Sequence, residues 1–148
     1  MSRFDSAKRV MSGTWGEVWF DGDLVSETYK FSAKLTYNKT EIGRNGSMAV
    51  DTKVTSYKGT GSVGMRKVNS RMLHLLADKI KDGKDVRFTI IGKLDDPDAY
   101  GAERIRFTNV SFDELTLMDW ENNTAGNIET PFTFTDMELL DTVSESYE

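Results

Sequence analysis

Two segments of the chain alternate between apolar and polar side chains, the pattern of a β-strand with one buried and one solvated face. In residues 25–38 the odd positions are apolar apart from Glu27, and the even positions hold only Ser, Thr, Lys or Asn. Residues 57–66 repeat the alternation, with Gly59 and Gly61 on the apolar side. Strands usually have about 5–6 residues, so the first segment is longer than a small core requires. We interpret the sheet as one that another copy of the molecule continues.

The alternation assigns a face to every side chain of the two strands, and a one-residue slip would invert all the assignments. The apolar side is predicted to hold Tyr29, Phe31, Leu35, Val63 and Met65. The polar side is predicted to hold Ser26, Thr28, Lys30, Ser32, Lys34, Thr36, Lys58, Thr60, Ser62 and Arg66.

Residues 39–56, between the two strands, are predicted to form a glycine-punctuated loop with an apolar tip at Met48, Ala49 and Val50. Irregular excursions of this length inside a domain are uncommon and usually functional. We therefore expect the loop to be mobile in the free subunit and to become ordered against another molecule.

The other elements complete a mainly β fold in one domain, residues 1–148. An arm covers residues 1–13, and Asp21-Gly22 marks a tight hairpin turn. A helix is expected after the N-cap Ser70, with Gly83 at its C-terminal end and an apolar stripe of Leu73, Leu76, Ala77 and Ile80. Strands are predicted at residues 14–20, 24–38, about 57–68, 86–94, 104–112, 114–120 and 127–137. The fold class is an antiparallel β-sandwich or barrel with one α-helix, whose sheets join those of neighbouring copies.

Composition is typical of a folded protein without disulfides. The chain has 148 residues, 38% of them hydrophobic, 16 aromatic residues and no cysteine. Its apolar runs are shorter than the roughly 20 residues that span a bilayer, and its first residues lack the apolar stretch of a secretory signal. These features predict a protein made and assembled inside a cell, without membrane anchoring.

The net charge of −5 conceals an asymmetry. Residues 1–106 contain all 19 basic and 14 of the 24 acidic residues, whereas residues 107–148 contain ten acidic residues and no basic one. One interpretation is a solvated acidic tail, residues 138–148. The other is a subunit with oppositely charged faces that meet head to tail, in which Asp136, Glu138 and Asp141 contact a neighbour.

No residue pattern predicts catalysis, a cofactor or a metal. His74 is the only histidine and cannot build a zinc site without further His or Cys ligands. The run Asp95-Asp96-Pro97-Asp98 lacks the closing carboxylate and central glycine of an EF-hand, so it is predicted to form a turn. Lysines and arginine on the polar face are compatible with nucleic-acid binding, but the aromatic residues lie on the opposite face. We expect a protein that is not an enzyme.

Three stretches in this order resemble a known family. They are MSGTWGEVWFDG at residues 11–22, DDPDAYGAERI at residues 95–105 and ETPFTFTD at residues 129–136. Together they resemble the tail tube (core) proteins of contractile phage-like tails, in the branch found in defective prophages and R-type bacteriocins of Gram-positive bacteria. The likeness covers nearly the whole chain.

The resemblance implies an assembly. Six copies would form a ring whose sheets join into one barrel around a bore lined by the polar face, and rings would stack into a tube inside a contractile sheath that drives it through the target cell envelope. The loop would reach the adjacent ring, helped by the N-terminal arm and the C-terminal tail, through Glu41, Arg44, Met48, Ala49, Val50 and Asp51.

Further partners follow from the same resemblance. They are the sheath outside, a tape-measure protein inside during assembly, and baseplate and tail terminator proteins. The particle, a virion tail or phage-tail-like particle, would be assembled in the bacterial cytoplasm. DNA would pass only if the parent is an infectious phage. Basic residues in the bore fit DNA transit only if acids such as Glu129 offset them, and otherwise favour a tube that carries no DNA.

Two other classes of protein remain as alternatives. A β-sandwich module that binds carbohydrate or peptide needs exposed aromatic side chains, for which Trp15, Trp19 and Trp120 are the candidates. A small β-barrel enzyme or secreted effector needs a nucleophile and a base, and the sequence contains no recognisable pair.

Overall fold

Eight β-strands and one α-helix make up the described part of the chain, residues 6–99 and 101–143 of a computed structural model, without the side chain of residue 78. The elements are β1 (Gly16–Phe20), β2 (Asp23–Leu24), β3 (Thr28–Gly43), β4 (Val50–Arg66), α1 (Arg71–Lys81), β5 (Phe88–Leu94), β6 (Glu103–Phe112), β7 (Asn127–Phe134) and β8 (Asp136–Asp141). Single turns of 3₁₀-helix at Ala7–Arg9 and Gly13–Trp15 precede them.

All strand pairs are antiparallel, and the neighbours run in the order β2-β1-β5-β6-β7-β4-β3, with β8 also paired to β6. The first part of β6 joins β2, β1, β5 and β8 in what we call the short sheet. Its last residues, Ser111 and Phe112, pair with β7, which continues into β4 and β3 as the long sheet. This arrangement confirms the predicted antiparallel β class.

Strand β6 passes from one sheet to the other just after Asn109, between Val110, which pairs with Phe88 of β5, and Ser111, which pairs with β7. Asn109 has a positive φ of 58°, and its side-chain amide donates a hydrogen bond to the Thr135 hydroxyl at 2.8 Å. Thr135 separates β7 from β8, so the single strand predicted at residues 127–137 is wrong. The chain instead forms two strands that serve different sheets.

The core lies between the two sheets and is rich in phenylalanine. Phe132 and Phe134 of β7 are buried, and the ring of Phe107 lies 4.9 Å from that of Phe134. Opposite them on β4 are glycines, because Gly59 pairs with Phe134 and Gly61 with Phe132. A Cβ atom at Gly61 would lie 2.3 Å from the Ser32 carbonyl oxygen and 2.6 Å from the Phe132 ring. The glycines therefore make room for the rings, as their predicted apolar-side position requires.

Helix α1 begins and ends as predicted. The Ser70 carbonyl accepts the His74 N–H, the Asn69 side chain caps the Arg71 N–H, and Gly83 has φ 76°. The predicted apolar stripe is confirmed at Leu76, which is buried, but Ile80 is exposed and Met72, outside the predicted stripe, is buried. Met72 and Leu76 are the helix residues that belong to the core.

The long strand begins later than predicted. Residues 26 and 27 form a turn in which the Thr28 N–H binds the Val25 carbonyl, and the half-buried Arg71 side chain binds the Glu27 carboxylate at 3.1 Å. The Asp21-Gly22 hairpin is confirmed, since both residues have positive φ, as a type I′ turn requires.

Residues 39–56 are mostly strand rather than loop, which corrects the prediction. Strand β3 continues to Gly43 and β4 starts at Val50, so only residues 44–49 are irregular. Residues 39–41 are polar on both faces of β3, and in β4 a register shift makes Thr55 an extra residue between the partners of Asn38 and Lys39. The alternation of polar and apolar residues is therefore absent in one strand and offset in the other, which concealed both. Residues 114–120, by contrast, are not a strand.

The close packing of Gly61 predicts the effect of one methyl group. Gly61→Ala should lower the free energy of unfolding by about 1–3 kcal/mol or more, because the nearest obstacle is backbone that cannot rotate away. Gly43→Ala is the control, since nothing lies within 4 Å of a Cβ at that position. Denaturant titration of both variants is the measurement, and equal stabilities would contradict the packing described here.

Candidate assembly surfaces

One face of the long sheet is polar over most of its length. Ser32, Lys34 and Thr36 are exposed and pair across the sheet with Ser62, Thr60 and Lys58. The intervening side chains Phe31, Ala33 and Leu35 pack against the core. The predicted faces are therefore confirmed from Lys30 to Thr36 and from Lys58 to Arg66.

A β-bulge reverses the assignment at the start of β3. Thr28 pairs with Met65 and Lys30 with Gly64, so Tyr29 is the extra residue. The Tyr29 side chain is 43% exposed and lies beneath the Arg66 guanidinium, 4.3 Å from the ring centroid. The predicted core position of Tyr29 is thus wrong.

The polar-face assignments N-terminal to the bulge are also wrong. The Thr28 hydroxyl is buried and has no hydrogen-bond partner among the described residues. Ser26 is exposed but belongs to the turn before β3.

The charges on the polar face are only partly balanced. Lys30 binds Glu129 at 3.0 Å, and Arg66 donates to the Asn127 side chain at 2.8 Å. Lys34 and Lys58 form no ion pair with any residue that the structure describes. Because exposed pairs contribute about 0–1 kcal/mol, the Lys30–Glu129 contact matters more for the charge of the face than for stability.

Strand β3 has an open edge. Within the described chain it pairs with β4 alone, so its other side presents unpaired backbone N–H and C=O groups. A groove of about 850 Å³ separates this strand from the short sheet, with Phe31, Leu94 and Ile105 in its lining. Long open edges invite pairing with another chain, and this one is a candidate contact between copies.

The outer parts of β3 and β4 project from the body as a two-stranded ribbon, residues 37–57. Every residue from 36 to 58 is exposed. Tyr37 and Tyr57 face each other across the ribbon, and Val54 and Val50 follow on the same face as partners of Lys39 and Gly43. A two-stranded ribbon without further packing is at best marginally stable in water. The candidate loop residues Glu41, Arg44, Met48, Ala49, Val50 and Asp51 all lie near its tip.

A second exposed region, residues 113–126, connects β6 to β7 and is called here the connecting segment. Its side chains Met118 and Trp120 are 80% and 79% exposed, and Leu117 is exposed as well. Its apolar residues suggested a buried strand, but only Leu115 packs against the core, and Leu117, Met118 and Trp120 face solvent. Sequence reasoning missed this surface for that reason.

Two of the acidic C-terminal residues form ion pairs with arginines of their own chain. Glu138 binds Arg106, and Asp141 binds Arg104 at 3.1 Å, because β8 pairs with β6. Asp136 accepts the N–H of Met137. Residues 136–141 form a strand, so the solvated tail predicted at residues 138–148 does not begin before residue 142. Residues 144–148 lie outside the described part, and the contact of Asp136, Glu138 and Asp141 with a neighbour stays a prediction.

The remaining candidate residues have structural positions. His74 is exposed. Asp96 is buried and accepts the N–H groups of Ser12 and Asp98 at 2.8 and 2.9 Å, which confirms the predicted turn and ties the N-terminal arm to it. Within residues 6–99 and 101–143 no cluster of His, Cys, Asp and Glu is suited to hold a metal. Among these residues, no helix is long and apolar enough to cross a membrane.

Comparison with known proteins identifies the family. A model of the phage tail tube protein family matches residues 4–141. The chain is 31% identical to the phage-like element PBSX protein XkdM of Bacillus subtilis (strain 168) over 143 residues, which cover 95% of this chain and 97% of the relative. The chain therefore belongs to the phage tail tube protein family, whose members are structural proteins.

Two solved structures share the fold at low sequence identity. The cap that terminates the anti-feeding prophage tube has a TM-score of 0.72 and 11% identity, covering 95% of this chain and 97% of that one. The sheath–tube complex of the extracellular contractile injection system PVC has a TM-score of 0.70 and 10% identity, covering 92% and 95%. The protein is a structural subunit of a tail tube, which replaces the binding-module and effector alternatives.

The exposure of the ribbon predicts its behaviour in the free subunit. Backbone amides of residues 37–57 should exchange with deuterium much faster than those of residues 59–66, because only the latter lie between two paired strands over a core. Hydrogen exchange monitored by mass spectrometry is the measurement. Equal protection of the two halves of β4 would show that the ribbon is stable without a partner.

Proposed function

We propose that six copies of this protein form a ring in the inner tube of a contractile tail, and that the polar face of the long sheet lines the bore. The observation that carries this proposal is the combination of a solvated face and an open edge on one sheet. The bore residues are Lys30, Ser32, Lys34, Thr36, Lys58, Thr60, Ser62 and Arg66.

Closure of a ring accounts for both properties. If each β3 edge joins the sheet of the next copy, the open backbone groups are paired and no edge is left for aggregation. Short side chains such as Ser32, Thr60 and Ser62 then face a water-filled channel. This explains why one face of the long sheet is polar and is not covered by another layer of the fold.

The ribbon is the proposed contact between successive rings. Its strands extend away from the body, and its exposed Tyr37, Val50 and Val54 gain burial only from another molecule. The ribbons of one ring bind the next ring at the same time. We therefore expect a single ribbon to bind weakly and a complete ring to bind strongly.

The proposed partners are those of a tail. The PVC neighbour is a sheath–tube complex and the anti-feeding prophage neighbour is a tube-terminating cap, which supports a sheath outside and a terminator at the end. We extend this to a baseplate, a tape-measure protein in the bore during assembly, and assembly in the bacterial cytoplasm. Lys34 and Lys58, unpaired within the described chain, would attract DNA phosphates in the bore, and we take them to favour a tube that does not carry DNA.

The bore assignment is tested by labelling a single cysteine. Because the chain contains no cysteine, Ser32→Cys introduces a unique thiol. In assembled tubes a small maleimide should label it, whereas a maleimide attached to a polymer wider than the bore should not. Both reagents should label the free subunit.

Electron microscopy of the same samples verifies that rings and tubes have formed. Phe31→Cys is the matched control, since it lies one residue away on the core side and should destabilise the subunit by about 3 kcal/mol. Labelling of Ser32→Cys tubes by the large reagent, at the rate seen for free subunits, would place this face on the outside.

A further inference from the structure

We propose that the connecting segment, residues 113–126, is the receptor for the ribbon of a second copy in the adjacent ring. This inference rests on the proposed function, because it names the surface against which the ribbon stacks. Three observations lead to it: the positions of the two surfaces on one sheet, their exposed apolar side chains, and their opposite charges.

The ribbon and the connecting segment lie at opposite ends of the long sheet. Strand β4 pairs with β7 from Gly59 opposite Phe134 to Arg66 opposite Asn127. The ribbon extends beyond the Gly59 end. The connecting segment begins beside Pro131, whose carbonyl accepts the Asp113 N–H at 2.9 Å, and it ends at the Asn127 end, where the Lys67 N–H binds the Gly126 carbonyl at 2.7 Å. Copies that repeat along the strand direction therefore bring the ribbon of one to the connecting segment of the next, a head-to-tail contact.

Both surfaces expose large apolar side chains at these ends. The connecting segment presents Leu117, Met118 and Trp120, and Val68 at the same end of the sheet is also exposed. The ribbon presents Tyr37 and Tyr57, 56% and 55% exposed, with Val50 and Val54 beyond them. Apolar groups clustered in this way on a folded surface mark sites of protein contact. A tryptophan and two tyrosines are residue types enriched at such contacts.

The charges of the two surfaces are complementary. The connecting segment contains four acidic residues and no basic one: Asp113, Glu114, Asp119 and Glu121. The ribbon contains three basic and two acidic residues, and Lys58 follows it directly. Two connecting segments would repel each other, whereas a ribbon and a connecting segment attract. Complementary charge selects this pairing over contacts between like surfaces.

Cross-linking in mixed tubes tests the contact. Subunits carrying Val50→Cys and subunits carrying Met118→Cys are assembled together and treated with a short bis-maleimide. A covalent dimer joined through both cysteines should form in the mixed tubes, and digestion with mass spectrometry identifies the linked peptides. Ser32→Cys mixed with Met118→Cys is the matched control, and it should give no dimer above background.

Exchanging the charges of the two surfaces is a second test. If these residues served only the fold of the subunit, mixing the two variants would not restore the stacking of rings. Asp119→Lys combined with Glu121→Lys should give folded rings that stack about tenfold less, as should Lys39→Glu combined with Lys53→Glu in the ribbon. In a mixture of the two variants, rings of one variant should stack on rings of the other, because the exchanged positions of the ribbon and the connecting segment then carry opposite charges in both kinds of contact. Electron microscopy should show tubes again.

The outcomes separate this inference from the proposed function. Tubes without the Val50–Met118 dimer, or charge variants that stack like the wild type, would show that the ribbon binds elsewhere while the tube assignment stands. Failure of the wild-type protein to form rings or tubes under any tested condition would instead overturn the proposed function.

Discussion

The fold depends on a sheet that can bury only one of its faces. Phe132 and Phe134 project from β7 toward the core, directly opposite Gly61 and Gly59 on β4, and each ring occupies the space that a side chain would otherwise fill. This packing holds the long sheet close to the short one from the core side alone. The other face is then free to carry Ser, Thr and Lys. The same strands can also extend beyond the body, because their inner parts remain packed against the core.

The sequence predicted this two-sided sheet because the period of two is a direct consequence of strand geometry. It failed where the period breaks. The bulge at Tyr29 moved that ring to the polar side, and the extra residue Thr55 offset the alternation in residues 50–56. Residues 39–41 are polar on both faces, so the pattern along residues 39–43 gave no strand signal. A bulge depends on how two strands meet, so a pattern along one strand does not reveal it. The strand predicted at residues 114–120 was wrong for a different reason, since Leu117 and Trp120 are apolar without being buried in a single copy.

The distribution of charge along the sequence predicted that its basic and acidic parts attract each other, but it did not predict which residues form ion pairs. The basic first part and the acidic last part of the chain do attract each other, yet the described contacts, Arg106 with Glu138 and Arg104 with Asp141, are made inside one chain. Composition cannot distinguish pairing within a chain from pairing between chains, because both bring the same residues together. Strand β8 decides the matter here, since its alignment along β6 places the acids beside the arginines. Asp136 and the four acids in residues 113–126 form no ion pair with a described residue, so they are available to another copy.

The subunit has surfaces without a partner in two directions, across the strands of the long sheet and along them. The open edge of β3 lacks a partner across the strands, and the ribbon and connecting segment lack partners along them. Pairing across the strands adds backbone hydrogen bonds and closes after a fixed number of copies if each is rotated by a constant angle. Contact along the strands joins unlike surfaces at opposite ends of one sheet, so it repeats without closing. A molecule with both kinds of contact forms rings that stack, and the length of the resulting tube is not encoded in the contact itself.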